Sequence, residues 1–318
     1  MDLKPFRTHD ELIVLLKKRN IKIRNERLAK KVLSNENYYA MINGYKDIFL
    51  QTSNPDDVFR PGTTFSEILY LYSFDRKLRE LLLVELLRIE HSIKSHVIYV
   101  FSQKHGHKHT SYLRTESFNI QSFVNFKRAN TLVFRMLRLI DKYEKFNSPI
   151  KHYMDKYGFV PLWVLGKVMT FGNLNYFYSC MLYDEKKEVA DSFKLSPEHF
   201  ERVLDFLSDF RNRCAHGERI YCSGKDRKKA KPIPYLGYHA ALKLPNNGKG
   251  YKYYASQDIL ALLIVMKYFM QQDRYQELLK NIDVALHQKL QKRLHSVSIH
   301  QVEDIMGLNG NWMDLRDL

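Results

Sequence analysis

The sequence is poor in cysteine and has no long hydrophobic run, and both shortages narrow the class of protein. Three cysteines in 318 residues, Cys180, Cys214 and Cys222, are too few and too unevenly spaced for a disulfide framework or a cysteine-based zinc site. The most apolar stretch, residues 259–266, is far shorter than the about 20 residues that a membrane-spanning helix needs. The polar N-terminus MDLKPFRTHD lacks the apolar segment of a secretory signal. We therefore expect a cytoplasmic protein with no membrane partner.

Acidic residues are scarce relative to basic ones. The chain has 51 lysines and arginines against 35 aspartates and glutamates, a formal net charge of +16. This excess is greater than solubility requires and favours a polyanionic partner, RNA or DNA. Because 45% of the residues are hydrophobic and 13% are aromatic, the chain can bury a substantial core, which excludes a disordered protein.

Helical periodicity dominates the sequence, and no run of alternating strand residues is convincing, so we predict an all-α fold. The longest helical signal covers residues 64–103 and stops at Gly106. A helix over residues 197–215 has Ser196 as its N-cap, Pro197 at its first position and Gly217 as its stop. Thr8 and Glu11 form a capping box for a short first helix. Further helices are predicted over residues 26–33, 122–144, 161–182, 256–272 and 275–295.

Two stretches rich in turn residues divide the chain. Turns at residues 54–57 and 61–62 separate an N-terminal helical segment, residues 1–62, from a helical domain, residues 63–318. Within that domain, residues 223–254 form a basic loop or small hairpin. Its basic and tyrosine side chains suit phosphate tracking with base stacking, or else a solvated loop tip. The candidate RNA-binding residues are Lys225, Arg227, Lys228, Lys229, Lys231, Lys249, Tyr251, Lys252 and Tyr253.

The motif that carries chemistry lies at the end of the helix predicted over residues 197–215. Arg211 is followed directly by Asn212, and His216 comes four positions after Asn212, so Asn212 and His216 share one helix face. A guanidinium can clamp a phosphate in two places, and an imidazole can transfer a proton near neutral pH. An amide between them can orient the substrate or the imidazole. These groups suffice to cleave RNA without a metal, by attack of the ribose 2′-hydroxyl on the adjacent phosphate.

Spacing alone leaves a second interpretation open. An arginine and a histidine separated by four residues arise by chance about once in a chain of this composition. A histidine at a helix C-terminus also interacts favourably with the helix dipole and needs no catalytic role.

Five segments in a fixed order resemble the abortive-infection Abi family, its AbiD/AbiF-like members, within the HEPN superfamily. They are YYAMINGYKDIF (residues 38–49), LYSFDRKLRELLLVELLRIEHSIKSHV (71–97), PLWVLGKVMTFGNLNYFY (161–178), RNRCAHGERIY (211–221) and IMGLNGNW (305–312). The resemblance implies a HEPN-type helical bundle in which Arg211, Asn212 and His216 serve in RNA cleavage. It further implies a homodimer whose two motifs form one composite site, and a small structured RNA that restrains the protein as an antitoxin.

Arg88 and Glu90 lie in the family-like segment of the long helix. Glu90 either pairs with Arg211 or orients His216, or it belongs with Arg88 to an internal salt bridge or a solvated face. His105, His107 and His109 alternate as metal ligands can, but Lys104 and Lys108 would repel a cation, so a solvated loop is favoured.

We expect four aromatic side chains of the 161–178 segment to pack in the core, namely Trp163, Phe171, Tyr176 and Phe177.

The leading hypothesis is a metal-independent endoribonuclease that acts as a growth-arresting toxin in phage defence and needs no cofactor. In it, Arg211 binds the scissile phosphate, His216 transfers protons, and Asn212 positions one or the other. The first alternative is a non-catalytic RNA-binding protein that sequesters a transcript or a small RNA. The second is a helical scaffold whose charge is incidental.

Overall fold

The computed structural model describes residues 6–54, 56–146, 148–225, 232–245, 255–308 and 310–318. Helices make up 69% of the structure, which confirms the all-α prediction. In the described residues the α-helices are α1 (His9–Lys18), α2 (Glu26–Asn35), α3 (Phe65–His105), α4 (His109–Tyr112), α5 (Phe123–Glu144), α6 (Pro149–Tyr157), α7 (Leu162–Leu165), α8 (Phe171–Cys180), α9 (Tyr183–Asp191), α10 (Pro197–Ala215), α11 (Gly237–Ala241), α12 (Ile259–Lys267), α13 (Gln272–Asp283) and α14 (Ile299–Met306). Two short antiparallel strands are β1 (Leu50–Thr52) and β2 (Val58–Phe59).

Helix α3 is the central element of the fold. A capping box between Thr64 and Glu67 begins it, and Gly106, with φ of 85°, ends it as predicted. It packs against α7, α9, α10 and α13, so residues far apart in sequence meet on its surface. The apolar side chains that recur along α3 are all buried in the core: Leu82, Leu86, Ile89, Ile93, Val97 and Val100.

The N-terminal segment is joined to the start of α3 by backbone hydrogen bonds. Lys22 N–H donates to the carbonyl of Thr63 at 2.8 Å, and Phe65 N–H donates to the carbonyl of Lys22 at 3.1 Å. The capping box of Thr8 and Glu11 is present as predicted. Strands β1 and β2 flank the predicted turn, but with three and two residues they are too short to show alternation in the sequence. The division of the chain at residue 62 stays a prediction.

The helix predicted over residues 161–182 is two helices in the structure. The Thr170 hydroxyl accepts a hydrogen bond from the backbone N–H of Asn173 at 3.2 Å and starts α8 separately from α7. The helix predicted over residues 275–295 is also divided. Helix α13 is followed by a π-helical turn (Val284–Leu290) and a 3-10 turn (Gln291–Arg293). Gly166 follows α7 directly as its C-cap, a glycine signal that the sequence analysis did not use, whereas the change of winding after α13 has no proline or glycine signal.

Candidate active site

The C-terminal end of α10 presents the three residues that the sequence identified. Pro197 occupies the first position, and the Ser196 hydroxyl accepts from the His199 N–H at 3.2 Å, so the helix starts where predicted. The helix ends at Ala215 with His216 as its C-cap, and Gly217 then adopts φ of 69°. The apolar face that holds α10 against α3 and α8 is buried, with Phe200, Val203, Leu204, Leu207 and Phe210.

Arg211 has a fixed orientation because a carboxylate on α3 binds it with both oxygens. Its Nε donates to Glu90 Oε2 at 2.8 Å, and its Nη2 donates to Glu90 Oε1 at 3.2 Å. Its Nη1 donates to Asn212 Oδ1 at 2.8 Å. These bonds engage three of the five guanidinium N–H groups. Within the described part of the chain the other N–H groups bind no acceptor, and they can bind an anion.

Glu90 also lies next to a second cation. The side chain of Glu90 is 8% exposed, and Lys94 Nζ lies 3.6 Å from its Oε1. Lys94 Nζ donates to the backbone carbonyl of Met169 at 2.8 Å. Burial lowers the pKa of the Lys94 ammonium, and the carboxylate of Glu90 opposes this shift. One buried carboxylate thus organises two cations, Arg211 and Lys94, at the edge of the site.

Asn212 lies in the last turn of α10, His216 is the C-cap that follows the helix, and both are exposed. The backbone N–H of His216 donates to the carbonyl of Asn212 at 2.9 Å, which closes the helix at this point. The Asn212 amide oxygen is held by Arg211, so its NH₂ group is left to face solvent or a ligand. The arrangement therefore combines a fixed guanidinium, an amide and a solvent-accessible imidazole on one surface.

The segment that follows His216 is anchored to α3 by Asp75, which the sequence analysis missed. Asp75 is fully buried and accepts hydrogen bonds from the backbone N–H of Tyr221 at 2.8 Å and of Ile220 at 3.3 Å. The Tyr45 hydroxyl donates to Asp75 at 2.5 Å, and Arg79 forms an ion pair with the same carboxylate. An aspartate on the apolar stripe of a long helix was the available signal for such an anchor.

Cys214 lies within the motif but has no features of a nucleophile. It is buried, with 6% of its surface exposed. Burial raises the pKa of the Cys214 thiol to about 12, so the thiol stays protonated near neutral pH. Its side chain contributes to packing, and Arg211, Asn212 and His216 remain the candidate residues of the motif.

Arg88 does not join Glu90 and Arg211. Its side chain is 58% exposed, and its Nη1 lies 3.7 Å from Glu85 on the same helix. Glu85 also accepts from Arg274 on α13 at 2.7 Å. Arg88 and Glu90, although two positions apart, therefore belong to different faces of α3.

The predicted basic loop is only partly within the described residues. Arg227, Lys228, Lys229, Lys231, Lys249, Tyr251, Lys252 and Tyr253 lie outside the described residues. The backbone of Lys225 closes a 3-10 turn, Ser223–Lys225, soon after the motif.

The three alternating histidines diverge in the structure. His105 Nε2 lies 2.5 Å from Glu185 Oε1 on α9. The ring of His107 stacks on Trp163 with 5.1 Å between centroids, and His109 is the first residue of α4. Their side chains therefore do not converge on one point.

Trp163 is not a core residue, contrary to the sequence-based expectation. Phe171 and Phe177 are buried as expected, and Tyr176 is half-buried, but Trp163 is 47% exposed. Helix α7 has a single turn. The neighbours of Trp163 in this helix are buried, namely Leu162, Val164 and Leu165. The indole therefore projects outward, onto the ring of His107.

The comparisons with known proteins place the chain in one family. The sequence model of the family described as "Abi-like protein" matches residues 31–222, which include α3, α10 and all three motif residues. The chain therefore belongs to the Abi-like protein family. No curated protein and no solved structure matches the chain significantly. Within the described residues, no helix is both long enough and apolar enough to cross a membrane.

Proposed function

We propose that the protein is a metal-independent endoribonuclease of the HEPN type that arrests growth in abortive infection. The observation that carries the proposal is the surface at the end of α10. There Arg211, oriented by the buried Glu90, lies beside the exposed Asn212 and His216. Membership of the Abi-like family supports the role in phage defence, and the net charge of +16 supports an RNA substrate.

The proposed reaction is an internal transesterification. The 2′-oxygen of a ribose attacks the adjacent phosphorus, and the 2′-hydroxyl proton passes to an imidazole. The bond from phosphorus to the 5′-oxygen breaks, and that oxygen takes a proton as it leaves. The products are a 2′,3′-cyclic phosphate and a 5′-hydroxyl end. Arg211 stabilises the charge on the phosphoryl oxygens, His216 transfers protons, and Asn212 positions the phosphate or the ribose.

The reaction needs one group that accepts a proton and another that supplies one, whereas each chain offers one His216. A homodimer that brings two motifs together supplies both groups. The exposed position of Asn212, His216 and Gly217 leaves this surface open to a second copy. We further propose that the protein acts in the cytoplasm and that a small structured RNA restrains it, as the family resemblance implies.

The His216→Ala variant tests the proposal. It should lose cleavage of RNA in a buffer containing a chelator and lose growth arrest on expression, while it binds RNA and unfolds at the wild-type temperature. His9→Ala, at an exposed histidine of α1, is the matched control and should retain both activities. Cleavage by His216→Ala at the wild-type rate contradicts the assignment. If the wild-type protein binds several RNAs but yields no cut product, the result supports the alternative of an RNA-binding protein that sequesters RNA. If it binds no RNA at low salt, the result supports the alternative of a helical scaffold.

A further inference from the structure

A groove of about 860 Å³ runs along the surface between α3 and α7. Lys94, next to Glu90, lies at one end of the groove, and His107 and Trp163 line it further along the chain. From Glu90 to Tyr99, which also lines the groove, the distance along the helix axis is about 14 Å at 1.5 Å per residue. The groove therefore includes Lys94, the ammonium beside Glu90, and leads away from the site.

Aromatic side chains in the groove are left exposed. Tyr99 is 66% exposed and Trp163 is 47% exposed. The Trp163 ring is already stacked on His107, with an angle of 28° between the planes, so only one of its faces is covered. Large aromatic surfaces held in a concave site are typical of ligand binding, and nucleobases stack well on such faces.

The aromatic platform has a rigid base. The Leu162 N–H donates to the carbonyl of His107 at 3.1 Å, which joins α7 to the segment after α3. Gly166 lies so close to Ile98 that a side chain at this position would clash with it. Because α7 is held against α3 in this way, the backbone that carries Trp163 is ordered before a ligand binds, which lowers the conformational entropy lost on binding.

The charge of the groove suits a polyanion. Lys94 and Lys167 line it together with His91 and His107, and no carboxylate is among the described residues that line it. A second groove, of about 620 Å³, reaches Asn212 from the α8 side but is lined by three carboxylates, Glu201, Asp205 and Asp209, against one cation, Arg128. Of these two grooves beside the motif, the one between α3 and α7 is therefore the one compatible with a phosphate backbone.

We propose that the groove between α3 and α7 binds unpaired bases of a single-stranded RNA next to the cleavage site. Trp163 and Tyr99 stack the bases, and Lys94 and Lys167 attract the phosphates. Bases within an A-form duplex are not available for such stacking, so the site selects single strands, loops or ends. The basic lining favours this polyanionic occupant over a second copy of this chain, whose contact we place at the end of α10. The inference rests on the proposed function, whose cleavage site it extends.

The test measures RNA binding by proteins that carry His216→Ala, so that the probe stays intact. The probes are a labelled 12-nucleotide single-stranded RNA without secondary structure and the same strand annealed to its complement. Trp163→Ala should weaken binding of the single strand about 10-fold, the loss expected from one stacked base, and leave duplex binding unchanged. Trp163→Phe should retain most of the affinity. Tyr39→Ala, at a 73% exposed tyrosine outside the groove, should behave as the parent.

Fluorescence gives a second readout. The chain has two tryptophans, and Trp312 is buried with 3% of its surface exposed. Quenching on addition of the single strand should therefore come from Trp163 and disappear in Trp163→Phe. Thermal unfolding of each variant checks that the fold is intact.

Several outcomes would overturn the inference. They are wild-type affinity of Trp163→Ala for the single strand, an equal loss for single strand and duplex, or a loss of self-association in Trp163→Ala that shows a second copy in the groove. The two proposals fail separately. If the protein without substitutions cuts no RNA, the proposed function fails. If the protein does cut an RNA and Trp163→Ala leaves the binding of that RNA unaltered, only the proposal for the groove fails.

Discussion

Glu90 on α3 and Arg211 on α10 are joined by two hydrogen bonds, from Nε to Oε2 at 2.8 Å and from Nη2 to Oε1 at 3.2 Å. The pair fixes the guanidinium between the core and the exposed end of α10. It also places a single carboxylate between Arg211 and Lys94. Because this carboxylate is buried, with 8% of the side chain exposed, we infer that Glu90 is a positioning residue.

Glu90→Gln should reduce RNA cleavage while largely sparing RNA affinity. The amide keeps the shape but removes the charge that holds Arg211 and Lys94. We expect kcat to fall about 100-fold, the order of loss for a misplaced catalytic group, with KM changed little. Breaking a buried ion pair should also lower the free energy of unfolding by about 3 kcal/mol. Single-turnover cleavage and urea denaturation measure the two effects.

The matched control is Glu85→Gln. Glu85 is on the same helix and bonds the guanidinium of Arg274 at 2.7 Å, away from the motif. It should lose some stability but cleave RNA at the wild-type rate. An equal loss of cleavage in both variants would show that Glu90 acts through the stability of α3 alone.

The sequence was a good guide to α10 and to its motif but a poor one to what surrounds them. Ser196, Pro197 and Gly217 are local signals, and the helix has the predicted limits. The pairing of Glu90 with Arg211 was one of several alternatives, because it depends on how α3 and α10 pack. The role of Asp75 could not be predicted from the sequence, because it depends on the tertiary contact between Asp75 and the backbone of Tyr221.

Trp163 shows a different limit of sequence reasoning. Its segment is rich in aromatic residues, and two of the four are buried as expected. Which aromatic faces solvent depends on the break between α7 and α8, and Thr170 gives only a weak signal for that break. Hydrophobicity alone therefore could not separate Trp163 from Phe171 and Phe177.

Asp75 should control the segment that carries His216. Asp75→Asn weakens the bonds to the backbone of Ile220 and Tyr221 and leaves Arg79 without its buried counter-charge. We expect a loss of about 3–5 kcal/mol in the free energy of unfolding. The milder Tyr45→Phe removes one hydrogen bond to Asp75 and should cost about 1–2 kcal/mol.

Hydrogen exchange checks the role of Asp75 directly. The amides of Ile220 and Tyr221 should exchange faster in Tyr45→Phe than in the wild-type protein, and RNA cleavage should fall with them. If exchange at these amides is unchanged while global stability falls as expected, Asp75 stabilises the core in general and does not specifically hold the segment after His216.

A composite site predicts that one defective chain inactivates a dimer. A heterodimer of wild-type and His216→Ala chains, purified with two different tags, lacks one of the two proton-transferring groups. Loss of such a group costs about 10²–10⁴-fold in rate. The heterodimer should therefore cleave RNA at far less than half the rate of the wild-type dimer. A rate near one half indicates independent sites, and an active monomer at the assay concentration contradicts the dimer proposal.

Glu67 should make the stability of the fold depend on pH in the acidic range, from its ordinary pKa of 4.5 downward. Burial raises the pKa of the Glu67 carboxyl, but hydrogen bonds from the backbone N–H groups of Ser296, His295 and Thr64 outweigh it, and the pKa lies below its ordinary value of 4.5. A depressed pKa in the folded state stabilises the fold at pH values above the ordinary pKa, and the contribution disappears as pH falls through the folded-state pKa.

Glu67→Gln should therefore be less stable than the wild-type protein by about 1–3 kcal/mol at pH 7. In urea denaturation the difference should narrow on acidification. Glu80→Gln, at a 58% exposed side chain of the same helix, should show little difference at either pH. A deficit of Glu67→Gln that stays constant with pH would mean that the charge of Glu67 does not stabilise the junction between α3 and the C-terminal segment.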